Sequence, residues 1–229
     1  MIIIPLIAAL LFLSIYLYDV NKYKNSSYAK ITGYSYSYVM NDRGRKGEYF
    51  AFEKLKHLEN SGAKFLFNVY IPKADGKTTE IDMLMICSTG IFVFEVKNYR
   101  GWIFGDEYQS HWYQILSSGG GKSRKEAFYN PIMQNRSHVL HLYELINEPL
   151  PIYSVVVFSN ECSLAGVKIH STEFSFVQFA HLKEVVLEII NRDNDNALDT
   201  SQITQLYDQL YPYSKVSEEQ KAEHIRNIK

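Results

Sequence analysis

The chain lacks charge at its start. Its 229 residues carry 24 Lys and Arg against 25 Asp and Glu, a formal charge of −1, yet none of them precedes Asp19. So even a balance excludes tight, nonspecific coating of nucleic acid, and it excludes an acidic tail. Cysteine is scarce as well. Two cysteines cannot build a disulfide framework, so a reducing compartment is expected. Apolar side chains are not in short supply: 46% of residues are apolar and 21% charged, which excludes general disorder. Convincing internal repeats are missing.

The uncharged start is itself a signal. Met1 to Tyr18 reads MIIIPLIAALLFLSIYLY, with Ser14 and two tyrosines as its polar groups. About 17 to 25 apolar residues span a bilayer core, so residues 1–18 are expected to form a transmembrane anchor. Pro5 lies near the start, where a missing N–H costs little. Tyr16 and Tyr18 fall where an aromatic belt would place them. A cleaved secretory signal, leading to a secreted protein, is one alternative. It would need a basic n-region and small residues before the cleavage point, and the sequence has neither. A buried core helix is the other. Lys22, Lys24 and Lys30 follow the segment and nothing basic precedes it, so the positive-inside rule predicts a single-pass membrane protein with its soluble domain in the cytoplasm. Residues 19–42, rich in Tyr, Ser and Asn, read as a juxtamembrane linker.

Beyond them the pattern suits one α/β domain. Arg43 to Asn60 has helical spacing, with Ala51, Phe52, Leu55 and Leu58 on one side. Lys64 to Ile71, Glu80 to Cys87 and Ile91 to Lys97 read as three strands. Trp102 to Leu116 reads as a smaller hairpin. Pro131 to Ile146 reads as a helix with proline in its first turn. Ile152 to Phe158 is a wholly apolar strand of the buried kind. Phe179 to Ile190, Thr200 to Leu210 and the tail from Ser217 read as further helices. This order predicts a mixed central sheet flanked by helices.

Two carboxylates interrupt these strands. With the turn centred on Ser88 and Thr89, Cys87 faces Gly90 and Asp82 falls opposite Glu95. Opposed residues share a face with Cβ atoms about 4.5 to 5.5 Å apart, where like charges are unfavourable unless something compensates. A divalent cation would compensate, since Mg²⁺ is often held by one or two carboxylates with substrate phosphate and water. Lys97 follows Glu95 by two residues and points to the same face, about 7 Å further on. An ammonium there can position or help deprotonate a water. Two carboxylates, a lysine and a cation are the parts that phosphodiester hydrolysis needs. The plain alternative is a ladder of surface ion pairs, with Glu80 opposite Lys97. The placing of Asp82 and Glu95 within otherwise apolar runs argues for a site. Glu48 shares a helix face with Phe52 and Leu55. It is either a charge stabilised at a helix start or a carboxylate aimed inward.

These residues resemble the nuclease-related domain (NERD) family of the PD-(D/E)XK nuclease superfamily. The resemblance rests on Gly47-Glu48, Glu80-Ile81-Asp82, Gly90 to Asn98, Gly101, Trp112 and Asn130-Pro131 followed by Gln134, and it spans about residues 43–160. It implies a restriction-endonuclease-like α-β-β-β-α-β core. It implies that Asp82 and Glu95 bind Mg²⁺ or Mn²⁺, that Lys97 serves the attacking water, that Glu48 assists the metal site, and that Gln134 is an accessory residue. One departure is Ile81, where proline commonly precedes the aspartate. Many nucleases of the superfamily act as dimers, which makes a homodimer one of the implied partners. A C-terminal helical extension, 161–229, would pack on the core.

Other signals are weaker. Ser118 to Ser123 (SGGGKS) looks like part of a phosphate-binding loop, but Leu116 stands where a glycine is needed and no sustained helix follows. Between Lys97 and Arg136 there are six Lys and Arg against three Asp and Glu, with Lys122, Arg124 and Lys125 clustered. That makes those three candidate phosphate contacts, against a solvated loop. His138 and His141 have metal-ligand spacing on a helix, but no further Cys or His accompanies them. Together these features predict a membrane-anchored, Mg²⁺-dependent nuclease acting on nucleic acid, DNA before RNA. The alternative is a non-catalytic nucleic-acid-binding or scaffold module on a nuclease fold.

Overall fold

Turn and cap chemistry places the central elements. Gly90 closes the tight turn between two strands at φ 143, where a Cβ would meet the Pro151 carbonyl oxygen at 2.4 Å. Asp42 caps a helix by accepting from the Arg45 amide at 2.9 Å. Asn130 caps another, with Pro131 at its first position. The computed structural model describes residues 3–193 and 198–227. The helices are α1 (Ile3–Lys24), α2 (Ser27–Thr32), α3 (Tyr36–Asn41), α4 (Arg43–Leu55), α5 (Pro131–Ile146), α6 (Leu182–Arg192), α7 (Thr200–Leu210) and α8 (Glu218–Asn227). The strands are β1 (Lys64–Pro72), β2 (Thr78–Cys87), β3 (Gly90–Lys97), β4 (Gly101–Asp106), β5 (His111–Ser117), β6 (Ser123–Tyr129), β7 (Ile152–Phe158), β8 (Cys162–Lys168) and β9 (Ser175–Gln178).

Two mixed sheets result. The first runs β1-β2-β3-β7-β9 and the second β6-β5-β4-β8. In the first, β1 to β3 are antiparallel, and β7 and β9 continue in parallel from β3. Its two faces bury separate cores. Phe52, Phe65, Phe92 and Val186 lie on one side, and Leu84, Val93, Leu142 and Leu206 on the other. The expected α-β-β-β-α-β order is present as α4, β1, β2, β3, α5 and β7, with β4 to β6 inserted before α5. The hairpin expected over Trp102 to Leu116 is β4 and β5. The edge strand β6 gave little sequence signal, because its charged residues look like loop.

The N-terminal expectation does not hold. Among the described residues no helix is long and apolar enough to cross a membrane. From Asp19 onward the helix α1 carries Asp19, Lys22 and Lys24, so its apolar part is only a portion of its length. Past Asp19 the helix joins the folded body: Tyr23 is buried against Tyr28 and Tyr49, and Lys22 pairs with Glu53. The transmembrane helix, the single-pass membrane location and the membrane partner that rested on them are therefore corrected. Met1 and Ile2 of that anchor lie outside the described residues, as do residues 194–197 and 228–229 of the expected C-terminal extension.

Residues 19–42 read as a linker from their composition, but in the fold they are helical. Ser26 and Ser35 cap α2 and α3. Tyr23, Tyr28, Ile31 and Val39 enter the core beneath α4. Serine and tyrosine look like linker residues in sequence, whereas here they cap helices and fill an aromatic cluster.

Candidate functional site

The site begins where the first sheet stops pairing. The β2–β3 ladder runs from Cys87↔Gly90 to Met83↔Phe94, the register expected from the turn. At the next step the Val96 amide donates to Asp82 Oδ2 at 2.7 Å instead of to a strand carbonyl. The β1–β2 ladder skips the same place: Phe67 pairs with Met83 and Val69 with Ile81, leaving Asn68 and Asp82 out. Asn68 is left-handed, at φ 50. The strict two-residue alternation breaks here, since Leu66 and Val69 enter one core, as do Ile81 and Leu84. Asp82 is thereby freed from regular pairing on both sides.

Glu95 lies opposite on β3. It is 1% exposed, and neither carboxylate oxygen has a hydrogen-bond partner among the described residues. Lys97 Nζ lies 2.6 Å from Glu95 Oε1, a buried ion pair. The same ammonium donates to Gln134 Oε1 at 3.1 Å, so α5 fixes it from the side. Glu48 arrives from α4. Gly47 allows the approach, because a Cβ there would lie 2.5 Å from the Asn98 Cβ. Tyr28 donates to Glu48 Oε2 at 3.0 Å, and Asn68 Nδ2 donates to the same oxygen at 3.3 Å. The sequence candidates Glu48, Asp82, Glu95, Lys97 and Gln134 thus converge.

The electrostatics follow from burial and crowding. Burial, with the charges of Glu95 and Glu48, lifts Asp82 well above the usual carboxylate range. Burial raises Glu95, and Lys97 offsets part of that. Burial pushes Glu48 up to about 7 against the Tyr28 hydrogen bond. Burial opposes the Lys97 charge, but Glu95 outweighs it and the ammonium is held above its ordinary value. Lys97 is therefore held in its charged, donating form.

An adjoining cavity of about 440 Å³ is lined by Glu80, Asp82, Tyr129, Gln134, His138 and His224, among others. Asn68, Tyr129 and His224 went unforeseen, and the sequence offers His138 only as a metal ligand with His141. His138 Nδ1 lies 3.4 Å from Glu95 Oε2, and burial, then the Lys97 charge, hold its pKa down to about 3, so the ring is neutral. Its place one turn after Gln134 was the available signal. Asn68 was legible as the one polar residue within FLFNVYI. His224 sits on α8 with Nδ1 2.9 Å from Thr78 Oγ1, and no local pattern announced it.

Other candidates fall elsewhere. Gly119, Gly120 and Gly121 form the β5–β6 hairpin turn, and a strand follows it. Arg124 pairs with Glu126 at 2.6 Å, Lys125 lies over the Tyr113 ring, and neither they nor Lys122 line the cavity. His141 turns to Glu144, away from His138. Among the described residues no three His, Cys, Asp or Glu side chains form a ready metal cluster. The protein's share would be a carboxylate oxygen of Glu95 and the second oxygen of Asp82, which suit a hard divalent cation that keeps water and phosphate as its other ligands.

The nuclease-related domain family matches residues 43–159. An uncharacterized protein of Bacillus anthracis is 30% identical over 186 residues, covering 81% of this chain and 84% of the relative. No solved structure matches the chain.

Proposed function

The chain belongs to the nuclease-related domain family, and on that premise we propose that it hydrolyses phosphodiester bonds of DNA with a divalent cation, Mg²⁺ or Mn²⁺. The observation that supports this most is the crowding of buried carboxylates: Glu95, 1% exposed, and Asp82 share the site with Glu48, and Lys97 is the one ammonium paired with Glu95 among the described residues. One ammonium does not offset that much buried acid, and a cation between Asp82 and Glu95 would relieve both.

Asp82 and Glu95 would hold the ion. When bound, such an ion supplies Lewis acidity and lowers the pKa of a water. Lys97, kept charged by Glu95 and fixed by Gln134, orients the attacking water and faces the negative charge that develops on the phosphoryl oxygens. Glu48, held by Tyr28 and Asn68, adds negative potential beside Asp82.

The test is the purified chain on plasmid and linear DNA with Mg²⁺, Mn²⁺ or EDTA. Asp82→Ala and Lys97→Ala should each cut cleavage by about a hundredfold or more. Full activity in either variant would show the site assignment to be wrong. Retained DNA binding with no cleavage in any divalent metal would favour the scaffold reading instead.

A further inference from the structure

The second sheet has one packed face and one open face. Along β5, Trp112 and Gln114 are buried while His111 and Tyr113 are exposed, the alternation of a half-covered strand. Cross-strand partners share a face. Phe104 pairs with Tyr113, and Trp102 with Ile115. Ile115 also pairs with Lys125, and His111 with Tyr129. The open face therefore carries four large rings across three strands: Trp102 is 51% exposed, Phe104 42%, Tyr113 36% and Tyr129 49%. On the neighbouring β8, Gly166 leaves room for Phe104, since a Cβ there would lie 2.3 Å from its ring. Large exposed rings gathered on one face of a sheet are the kind of surface that serves as an interaction site.

Charge and continuity identify the occupant. Lys125 Nζ lies 3.8 Å from the centre of the Tyr113 ring, so a cation is held on the face itself. Lys122 stands at the hairpin tip beside it, whereas Arg124, paired with Leu116, falls on the other face. The segment carries six Lys and Arg between Lys97 and Arg136 against three Asp and Glu. Three of those six pair with acids, Lys97 with Glu95, Arg124 with Glu126 and Arg136 with Glu107, so the cation on the face itself is Lys125, with Lys122 at the tip. The aromatic face also runs into the candidate site, because Tyr129 lines the same cavity as Asp82 and Gln134. A polymer that alternates flat bases with phosphates fits both features, and stacking on protein rings needs bases that are not already stacked in a duplex. We infer that the open face of β4, β5 and β6 is a stacking platform that leads single-stranded nucleic acid to the Asp82–Glu95 site, an inference that rests on the nuclease reading above.

The experiment uses the full chain in EDTA, where binding is read without cleavage. Fluorescence anisotropy compares a labelled oligothymidine 15-mer with the same strand annealed to its complement. The double variant Trp102→Ala, Tyr113→Ala should bind the single strand about tenfold or more weakly. The aromatic replacement Trp102→Phe, Tyr113→Phe should bind close to wild type. Neither residue lines the cavity, so loss of binding would not come from the site itself. Equal binding by the alanine variant, or wild-type preference for duplex, overturns the inference. So does sedimentation showing a wild-type dimer that the alanine variant abolishes, since the face would then belong to a second copy. If the platform binds as expected while Asp82→Ala still cleaves, the catalytic assignment fails and the platform stands.

Discussion

Glu48 is a carboxylate that folding brings among other carboxylates. Burial raises it to about 7, while an unfolded glutamate titrates near 4.5. Below about 4.5 both states hold the proton. Between about 4.5 and 7 the unfolded chain releases it and the folded chain keeps it, so the wild type loses stability as pH rises, on the order of 1.4 kcal/mol per unit. Glu48→Gln cannot ionise. Relative to wild type it should gain stability between pH 5 and pH 7.5, read by urea unfolding in EDTA. An unchanged difference between the two proteins at both pH values would refute the assignment. Asp82 and Glu95 titrate in the same direction, which is why the comparison is made against the variant. At this scale the sequence was informative. Charges within apolar strands are expensive, and Asp82 and Glu95 stood out on that ground alone. Asn68 carried the same mark with a weaker penalty. The partnership of Lys97 with Gln134 was beyond reach, because it joins residues 37 positions apart.

Among the elements, α8 is held by little. His224 is its one buried residue among those described, and it meets Thr78, the edge of Tyr70 and the wall of the cavity. A chain ending at Ser217 should therefore still unfold cooperatively, with Tm within about 5 °C of the full chain, as for a loss of a kcal/mol or so. A drop of more than about 15 °C would mean that α8 is part of the core. The core elements were legible because each repeats its own pattern. The helix α5 starts at an asparagine cap followed by proline, and β7 ends in the apolar run Val155 to Phe158. The strand β6 was not, since an exposed edge strand tolerates Ser, Arg, Lys and Glu. The helices α2 and α3 were hidden too. They are six residues each, too short for a periodic stripe, and they are made by tertiary packing of tyrosines.

Across the whole molecule, Glu107 joins the parts. It ends the second sheet, is fully buried, and binds Arg136 on α5 at 2.8 Å, the amides of His170 and Ser171, and the Ser171 hydroxyl. Arg136 is half-exposed and keeps Glu173, so the loss falls on the hydrogen bonds from His170 and Ser171, and Glu107→Ala should cost about 1 to 3 kcal/mol. Urea unfolding measures it, and a loss below about 1 kcal/mol would show that the joint carries little. The same joint supports the aromatic platform, since it fixes the end of β4 beside the start of α5.

Composition and pattern by themselves determined the chemistry on offer: near-neutral charge, too few cysteines for a framework, a mixed α/β order, and carboxylates with a lysine set at fixed spacing in apolar strands. These are local properties, carried by each strand and helix before folding. Tertiary structure alone decided the rest. It drew the tyrosine-rich stretch into the core. It opened both ladders at Asp82, and it set His138, Tyr129 and His224 around the cavity. Those outcomes depend on contacts between distant segments, which no local spacing encodes.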